Sequence, residues 1–267
     1  MGQGSEQTMK KHVKNGCIVL MLLYLFVPLL ATFFYALSKD WSSTILPKGL
    51  TLSWFFDLLS DGQFLKALGR TCLLSFLSVL LAAAFIVPGI FAIYVYYPKL
   101  KKVDETMVVA CYAFPGVILA FALMNAYSSL GIPMILVVVG SYMLSIYPLI
   151  RQGTLNSLRA IGAGTLMESA EILGASPWTA FLKIVLPNIM PGVFSSCLFS
   201  FSTLFGEFVI INLIVGSKFE TVQIFLRKSL SVNGHMSSAI VILYFIVICL
   251  ITLGAIGLTG KQKGLEE

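Results

Sequence analysis

Charge is what this sequence has least of. Charged residues make up 11% of the 267, against about 25% in soluble domains, while 58% are hydrophobic. So little polar surface cannot coat a water-soluble globule, which excludes a soluble enzyme and points to apolar runs of about 20 residues in lipid. Histidine is nearly absent: His12 and His235 are the only two, and neither falls inside an apolar run, so a buried imidazole relay is excluded. The five cysteines, Cys17, Cys72, Cys111, Cys197 and Cys249, form no Cys-x-x-Cys pair, which argues against a metal site or a disulfide framework. A net charge of +6 is no sign of nucleic acid either, because the basic residues flank apolar runs and form no long block.

What the chain has in abundance is uncharged length. Six stretches carry at most one charged residue each: 16–37, 72–97, 107–130, 132–150, 192–216 and 237–258. At 1.5 Å per residue, about 20 helical residues cross the roughly 30 Å hydrocarbon core, and a helix satisfies its own backbone there. The expected fold class is therefore an all-α polytopic membrane protein with six transmembrane helices. It runs from a polar tail, 1–15, through a domain over 16–258 to a second tail, 259–267. Between the third and fourth spans only Gly131 and Pro133 interrupt the apolar run, which reads as a tight turn, with one long kinked helix as the alternative. Pro88-Gly89, Pro115-Gly116 and Pro148 predict kinks.

Lysine and arginine set the orientation. Alternating sides collects 11 of the 18 basic residues on one face, including Lys10, Lys11, Lys14, the cluster Lys99, Lys101 and Lys102, Arg151, Arg159 and Lys183. Both termini are therefore expected in the cytoplasm. The first apolar run is longer than a signal-peptide core and lacks an evident cleavage site, so it reads as an uncleaved helix. Residues 39–70 then form an external connection, with Trp54, Phe55 and Phe56 expected at the membrane interface.

The longest polar interruption on the basic side, 151–191, reads as two short helices. Residues 166–173 favour a helix that Gly174 can end in a left-handed cap. Ser176-Pro177 then supplies an N-cap and a first-turn proline for a second helix ending near Leu186, ahead of Pro187. Met167, Ala170 and Leu173 are expected to pack, Glu168 and Glu171 to face outward, and Trp178, Phe181, Leu182 and Val185 to form one apolar face. A solvated cytoplasmic hairpin is the plainer reading of the same spacing.

The string Glu168-Ser169-Ala170, three residues, Gly174, nine residues, Ile184, one residue, Leu186-Pro187 resembles the EAA motif of permease subunits in binding-protein-dependent ABC importers. Leu173-Gly174-Ala175-Ser176-Pro177-Trp178 and Leu186-Pro187-x-x-x-Pro191-Gly192 extend the likeness; Ser169 stands where the motif usually has alanine. The resemblance implies a type I importer permease in a bacterial or archaeal plasma membrane, paired with an identical or similar second permease. Two ATP-binding cassette subunits and an external substrate-binding protein complete such an assembly. It also implies an ATPase-coupling role for Glu168, Ser169, Ala170, Glu171, Gly174, Ala175, Ile184, Leu186 and Pro187. Any nucleotide belongs to the ATPase partner: the only Gly-Lys pair here, Gly260-Lys261, lacks a phosphate-cradling loop, so no cofactor and no catalytic residue are expected in this chain. The branch it looks most similar to handles polyamines, ferric iron, thiamine and phosphonates.

Glu207 is the one carboxylate inside a predicted span. A charge at the bilayer centre costs roughly 2.5 to 3.5 kcal/mol, so it should face protein or water. On a continuous helix, Thr203, Ser200 and Ser196 share its side within roughly a 60° arc, with Gly192 beneath, and Glu207 lies about 22 Å beyond Gly192. This stripe predicts a translocation path with Glu207 near the outer gate and an amine-bearing solute, such as a polyamine or an aminophosphonate. A small-residue packing seam is the competing reading. Asn125, Tyr127, Tyr142 and Ser145 are further lining candidates. Beyond the fifth span, Val222, Phe225, Leu226 and Leu230 suggest an interfacial helix with Arg227 and Lys228 outward. Two other function classes compete: an ion-coupled secondary transporter, which usually shows internal repeats not seen here, and a membrane scaffold that transports nothing.

Overall fold

A computed structural model describes residues 2–41, 44 and 46–263, with side chains over 14–41, 44 and 46–254. The side chains of Lys10, Lys11 and His12, and residues 264–267 of the expected 259–267 tail, lie outside the described residues. The elements run α1 (Gly2–Leu37), a hairpin of β1 (Ser38–Asp40) and β2 (Lys48–Leu50), α2 (Ser53–Ser60), α3 (Gly62–Val95), α4 (Lys101–Ala113), α5 (Gly116–Tyr127) and α6 (Met134–Ala160). There follow α7 (Ala163–Ile172), α8 (Pro177–Ala180), α9 (Leu186–Phe205), α10 (Val209–Ile214), α11 (Val222–Ser229) and α12 (Gly234–Lys263).

Five stretches are long and apolar enough to cross a membrane singly: Lys14–Leu37, Gly62–Val95, Met134–Ala160, Pro177–Phe205 and Gly234–Gly254. A sixth is broken. The expected third span, 107–130, is two helices, α4 and α5, bent by 98° where Phe114 and Pro115 leave helical geometry. Of the three expected proline kinks, only Pro115 breaks the chain; α3 continues through Pro88 and α6 through Pro148. The difference lies before the proline: Phe114 is extended, the conformation a residue ahead of proline prefers, whereas a following glycine is shared with Pro88 and does not by itself break a helix. The turn between α5 and α6 is tight, with Gly131 at a positive φ of 67° and Pro133 capping α6.

The described residues fall into two compact units, divided at Phe64/Leu65, Phe225/Leu226 and Val247/Ile248. In the smaller one the hairpin pairs Ser38 with Leu50 and Asp40 with Lys48. His235 stacks on Tyr35 at 4.1 Å, and Trp54 donates its indole N–H to the Ser38 carbonyl at 3.0 Å. Trp54 and Phe55 therefore pack inward, leaving only Phe56, 66% exposed, of the expected interfacial trio.

The larger unit is built on α6. Val138, Tyr142, Ile146, Ile150, Thr154 and Leu158 recur every fourth residue, all buried, forming one continuous ridge. The stretch from Val185 through Ile189, Val193, Ser200 and Leu204 packs in the same core. Close approach of these helices depends on small residues: a Cβ at Gly153 would overlap Ser196, and one at Gly192 would overlap Ser157.

Candidate functional site

The helix α7 stands on a narrow base. Ala163, Met167 and Ala170, spaced four and three apart, are its buried face; Glu168, Ser169 and Glu171 point outward. It begins at Ala163, three residues ahead of the expected Leu166, because Gly162 supplies a left-handed turn out of α6 at φ 60°. It ends as expected at Gly174, whose φ of 85° only glycine adopts cheaply. The Gly174 N–H donates to Glu171 O at 2.9 Å and the Ala175 N–H to Ala170 O at 3.0 Å, the paired bonds of a Schellman stop. Leu173, expected to pack, is instead 88% exposed beside Ile172 at 85%. The cap reverses the chain at that point, so both side chains lie beyond the last buried turn.

Two contacts fix this tip. Tyr96, just past α3, donates its hydroxyl to Glu171 Oε1 at 2.9 Å. Desolvation first, then the Glu171 hydrogen bond and charge, push the Tyr96 phenol from its ordinary 10.0 up to about 12, so it remains a donor at physiological pH. On the return strand Ser176 accepts from the Thr179 N–H at 3.3 Å, and Pro177 occupies the first turn of α8.

The second helix does not stop at Leu186. A π-turn over Phe181–Val185 joins α8 to α9, and the Leu186 N–H reaches back to Phe181 O. Pro187 falls in the first turn after this wider loop of backbone, where its missing N–H and its ring are tolerated, so the helix continues to Phe205. The same turn splits the expected apolar face. Phe181 and Val185 are buried, while Trp178 and Leu182 remain 61% and 42% exposed. Ala175, Ile184 and Leu186 are partly buried against the core, and Pro187 is exposed.

Glu207 is not on a helix. The fifth span ends at Phe205, well short of the expected Gly216, and Glu207 lies in the three-residue break before α10. Its carboxylate accepts the Ile210 N–H at 2.8 Å, the Ile211 N–H at 3.3 Å and the Tyr142 hydroxyl at 3.0 Å. Glu207 thereby caps α10 and ties it to α6, in an N-terminal position that favours negative charge. The helical count that aligned it with the stripe stops applying at Gly206. Of the remaining stripe, Ser200 is buried and Ser196 lies in the seam against Gly153, each hydroxyl returned to its own helix backbone; these two line no open face of this chain. Thr203 is exposed. Among the further candidates Asn125 and Tyr127 are exposed, Ser145 is partly buried, and Tyr142 is the buried donor to Glu207.

Residues 84–261 match the family described as binding-protein-dependent transport system inner membrane component, well over half of the chain. The chain belongs to that family. It is a multi-pass permease subunit of a binding-protein-dependent ABC importer. A spermidine/putrescine transport system permease protein PotC homolog of Mycoplasma genitalium is 26% identical over 97% of this chain and 95% of its own. The spermidine/putrescine permease protein PotC of Haemophilus influenzae is 22% identical over 94% and 98%. In fold, a chain from the crystal structure of a bacterial ABC transporter involved in the import of the acidic polysaccharide alginate matches with a TM-score of 0.77, at 19% identity and over 96% of each chain.

One ionic group of this permease subunit escaped the sequence reading. Asp104 on α4, 4% exposed, receives Arg151 Nε at 2.9 Å, a second bond from Arg151 Nη2, and the Tyr147 hydroxyl at 2.6 Å. From the sequence Arg151 reads only as flanking charge. The acidic pair Asp104-Glu105 directly after the lysines of 99–102 is the available signal, but nothing in local spacing says which helix either residue faces.

Proposed function

We propose that this permease subunit carries a polyamine or a similar amine-bearing cation across the membrane, driven by a separate ATPase that grips α7. The observation that carries the coupling role is the tip of α7: Ile172 and Leu173 stand exposed on a helix held by a buried face, a Schellman stop and the Tyr96–Glu171 bond. Such a rigid apolar knob rimmed by Glu168 and Glu171 suits a groove on a soluble partner. Glu168, Ser169, Glu171 and Gly174 form the coupling surface, and Ala170, Ala175, Ile184, Leu186 and Pro187 seat it. Closing of two ATPase subunits would draw two such knobs together and rock a pair of permeases, this chain with a copy or a similar second chain, between inward- and outward-facing states. An external binding protein would deliver the solute, and nucleotide would be held only by the ATPase.

The basic residues support a cytoplasmic α7, with both termini on its side. The polyamine assignment is supported by the names of the relatives that cover nearly the whole chain. Thr203 and the partly exposed Glu207 are the path residues retained, with Glu207 both shaping the break and presenting negative charge to an amine.

Reconstitution of the complete complex in vesicles tests the proposal. Labelled spermidine uptake should require ATP together with the external binding protein. Uptake that follows an ion gradient without ATP would refute the coupling, and ATP-driven uptake of another solute with spermidine excluded would refute the substrate.

A further inference from the structure

A cavity of about 210 Å³ opens where the end of α3, the start of α4 and the last turns of α6 meet. At roughly 30 Å³ per water it has room for about seven waters, enough for a phosphate-sized group. Its lining has two chemical halves. Ile90 and Leu155 are buried and Ile93 partly so, and they form an apolar wall. Lys101, Arg151 and Arg159 contribute three cations against one carboxylate, Asp104.

These cations are not equally committed. Arg151 is consumed by Asp104. Lys101 has only an exposed contact to Glu105, at 3.8 Å, of a kind worth little, and Arg159 makes no ion pair among the described residues. Two available cations therefore border an apolar wall at the end of a membrane span, with Lys99 and Lys102 on the adjoining segment. A small soluble anion would need the charges but not the wall, and an apolar ligand the wall but not the charges. We infer that this cavity binds the headgroup of an anionic phospholipid, phosphate toward Lys101 and Arg159 and the first acyl carbons along Ile90, Ile93 and Leu155. The Asp104–Arg151 pair that joins α4 to α6 also lines it, so an occupied site would brace the start of α4, the first half of the broken third span. The inference adopts the orientation proposed above, which puts this end of α6 at the cytoplasmic leaflet.

The test uses the full-length chain in detergent, titrated separately with short-chain phosphatidylglycerol, with phosphatidylcholine of the same chain length, and with inorganic phosphate, binding being read by native mass spectrometry. Phosphatidylglycerol should bind saturably and in preference to phosphatidylcholine, which carries the phosphate without net charge. The K101Q/R159Q variant should bind it roughly thirty-fold more weakly, two charges at about 1 kcal/mol each, while K101R/R159K keeps binding. The charge-matched K48Q/K66Q variant should bind like the wild type. Undiminished binding by K101Q/R159Q, equal losses in the two neutralised variants, or no preference between the two lipids would each overturn the site. Inorganic phosphate binding as tightly as phosphatidylglycerol would overturn the lipid in favour of a soluble anion. Because the readout needs neither ATP nor a known leaflet, failure here leaves the importer reading and its orientation standing.

Discussion

At the tip of α7, Ile172 and Leu173 are 85% and 88% exposed; at the junction of α4 with α6, Asp104 and Arg151 are 4% and 8% exposed. One place shows apolar groups where the chain is most polar, and the other hides charge in a chain with little of it. The two inversions have different physical meanings. Exposed apolar side chains on a braced helix leave free energy to be gained by a partner, which is the basis of the proposed coupling interface. A buried ion pair is satisfied internally by three hydrogen bonds to one carboxylate, so it marks a joint within the chain. Composition alone treats both as anomalies, and only their partners tell them apart.

Separating the joint from the interface is a matter of which measurement moves. Breaking the joint has the largest expected effect on the chain itself: Arg151→Ala leaves Asp104 buried and unpaired and should cost about 3 to 5 kcal/mol in denaturant unfolding of the purified subunit, whereas Asp104→Leu with Arg151→Met should recover most of it. If the single variant melts like the wild type, the pair is not a joint. At the proposed interface, Ile172→Ser with Leu173→Ser should leave unfolding within about 0.5 kcal/mol of the wild type yet weaken ATPase association by at least about 100-fold, since each fully buried aliphatic chain is worth roughly 1.5 to 3 kcal/mol. Unchanged association would make α7 an ordinary hairpin.

Smaller changes sharpen the contrast. Gly174→Val forces a branched side chain into the left-handed region at φ 85° and should cost about 1 to 2 kcal/mol of local stability, seen as faster amide exchange over 170–175 and reduced transport. Glu207→Gln keeps the shape of the cap but removes its charge at the start of α10, at a cost of about 0.5 to 1 kcal/mol; spermidine uptake should fall by more than stability does if Glu207 also serves the path. The smallest effect belongs to Tyr96→Phe, about 0.5 to 1.5 kcal/mol in fixing α7. Because the folded phenol is raised above its unfolded value, the contact is complete below pH 10.0 and is lost as pH climbs through about 12, a decline the Phe variant lacks in amide exchange of α7.

Much of the fold was legible because lipid imposes simple rules. Length without charge marked the spans, and Gly174 with Ser176-Pro177 marked the stop and restart around the α7 tip from local backbone preferences. Departures came where a different backbone turn or a longer-range bond overrode local preference. Pro187 looked like a terminator, yet a π-turn carried the helix past it. Glu207 looked like a helical lining residue, yet Tyr142 and the α10 amides held it in a break. Of the two readings of the serine stripe, the packing seam fits Ser196, which lies against Gly153, with Gly192 below it against Ser157.

The sequence by itself determined that this chain is a bundle of membrane helices with a protruding EAA segment, because hydropathy, glycine and proline act over a turn or two of backbone and need no partner to be read. Tertiary structure alone decided which polar residues are used up. Asp104 and Arg151 are partners 47 residues apart and Glu207 is bound by Tyr142 on α6, and in a low-dielectric interior such partners decide whether a polar group is a satisfied joint or a site still able to bind.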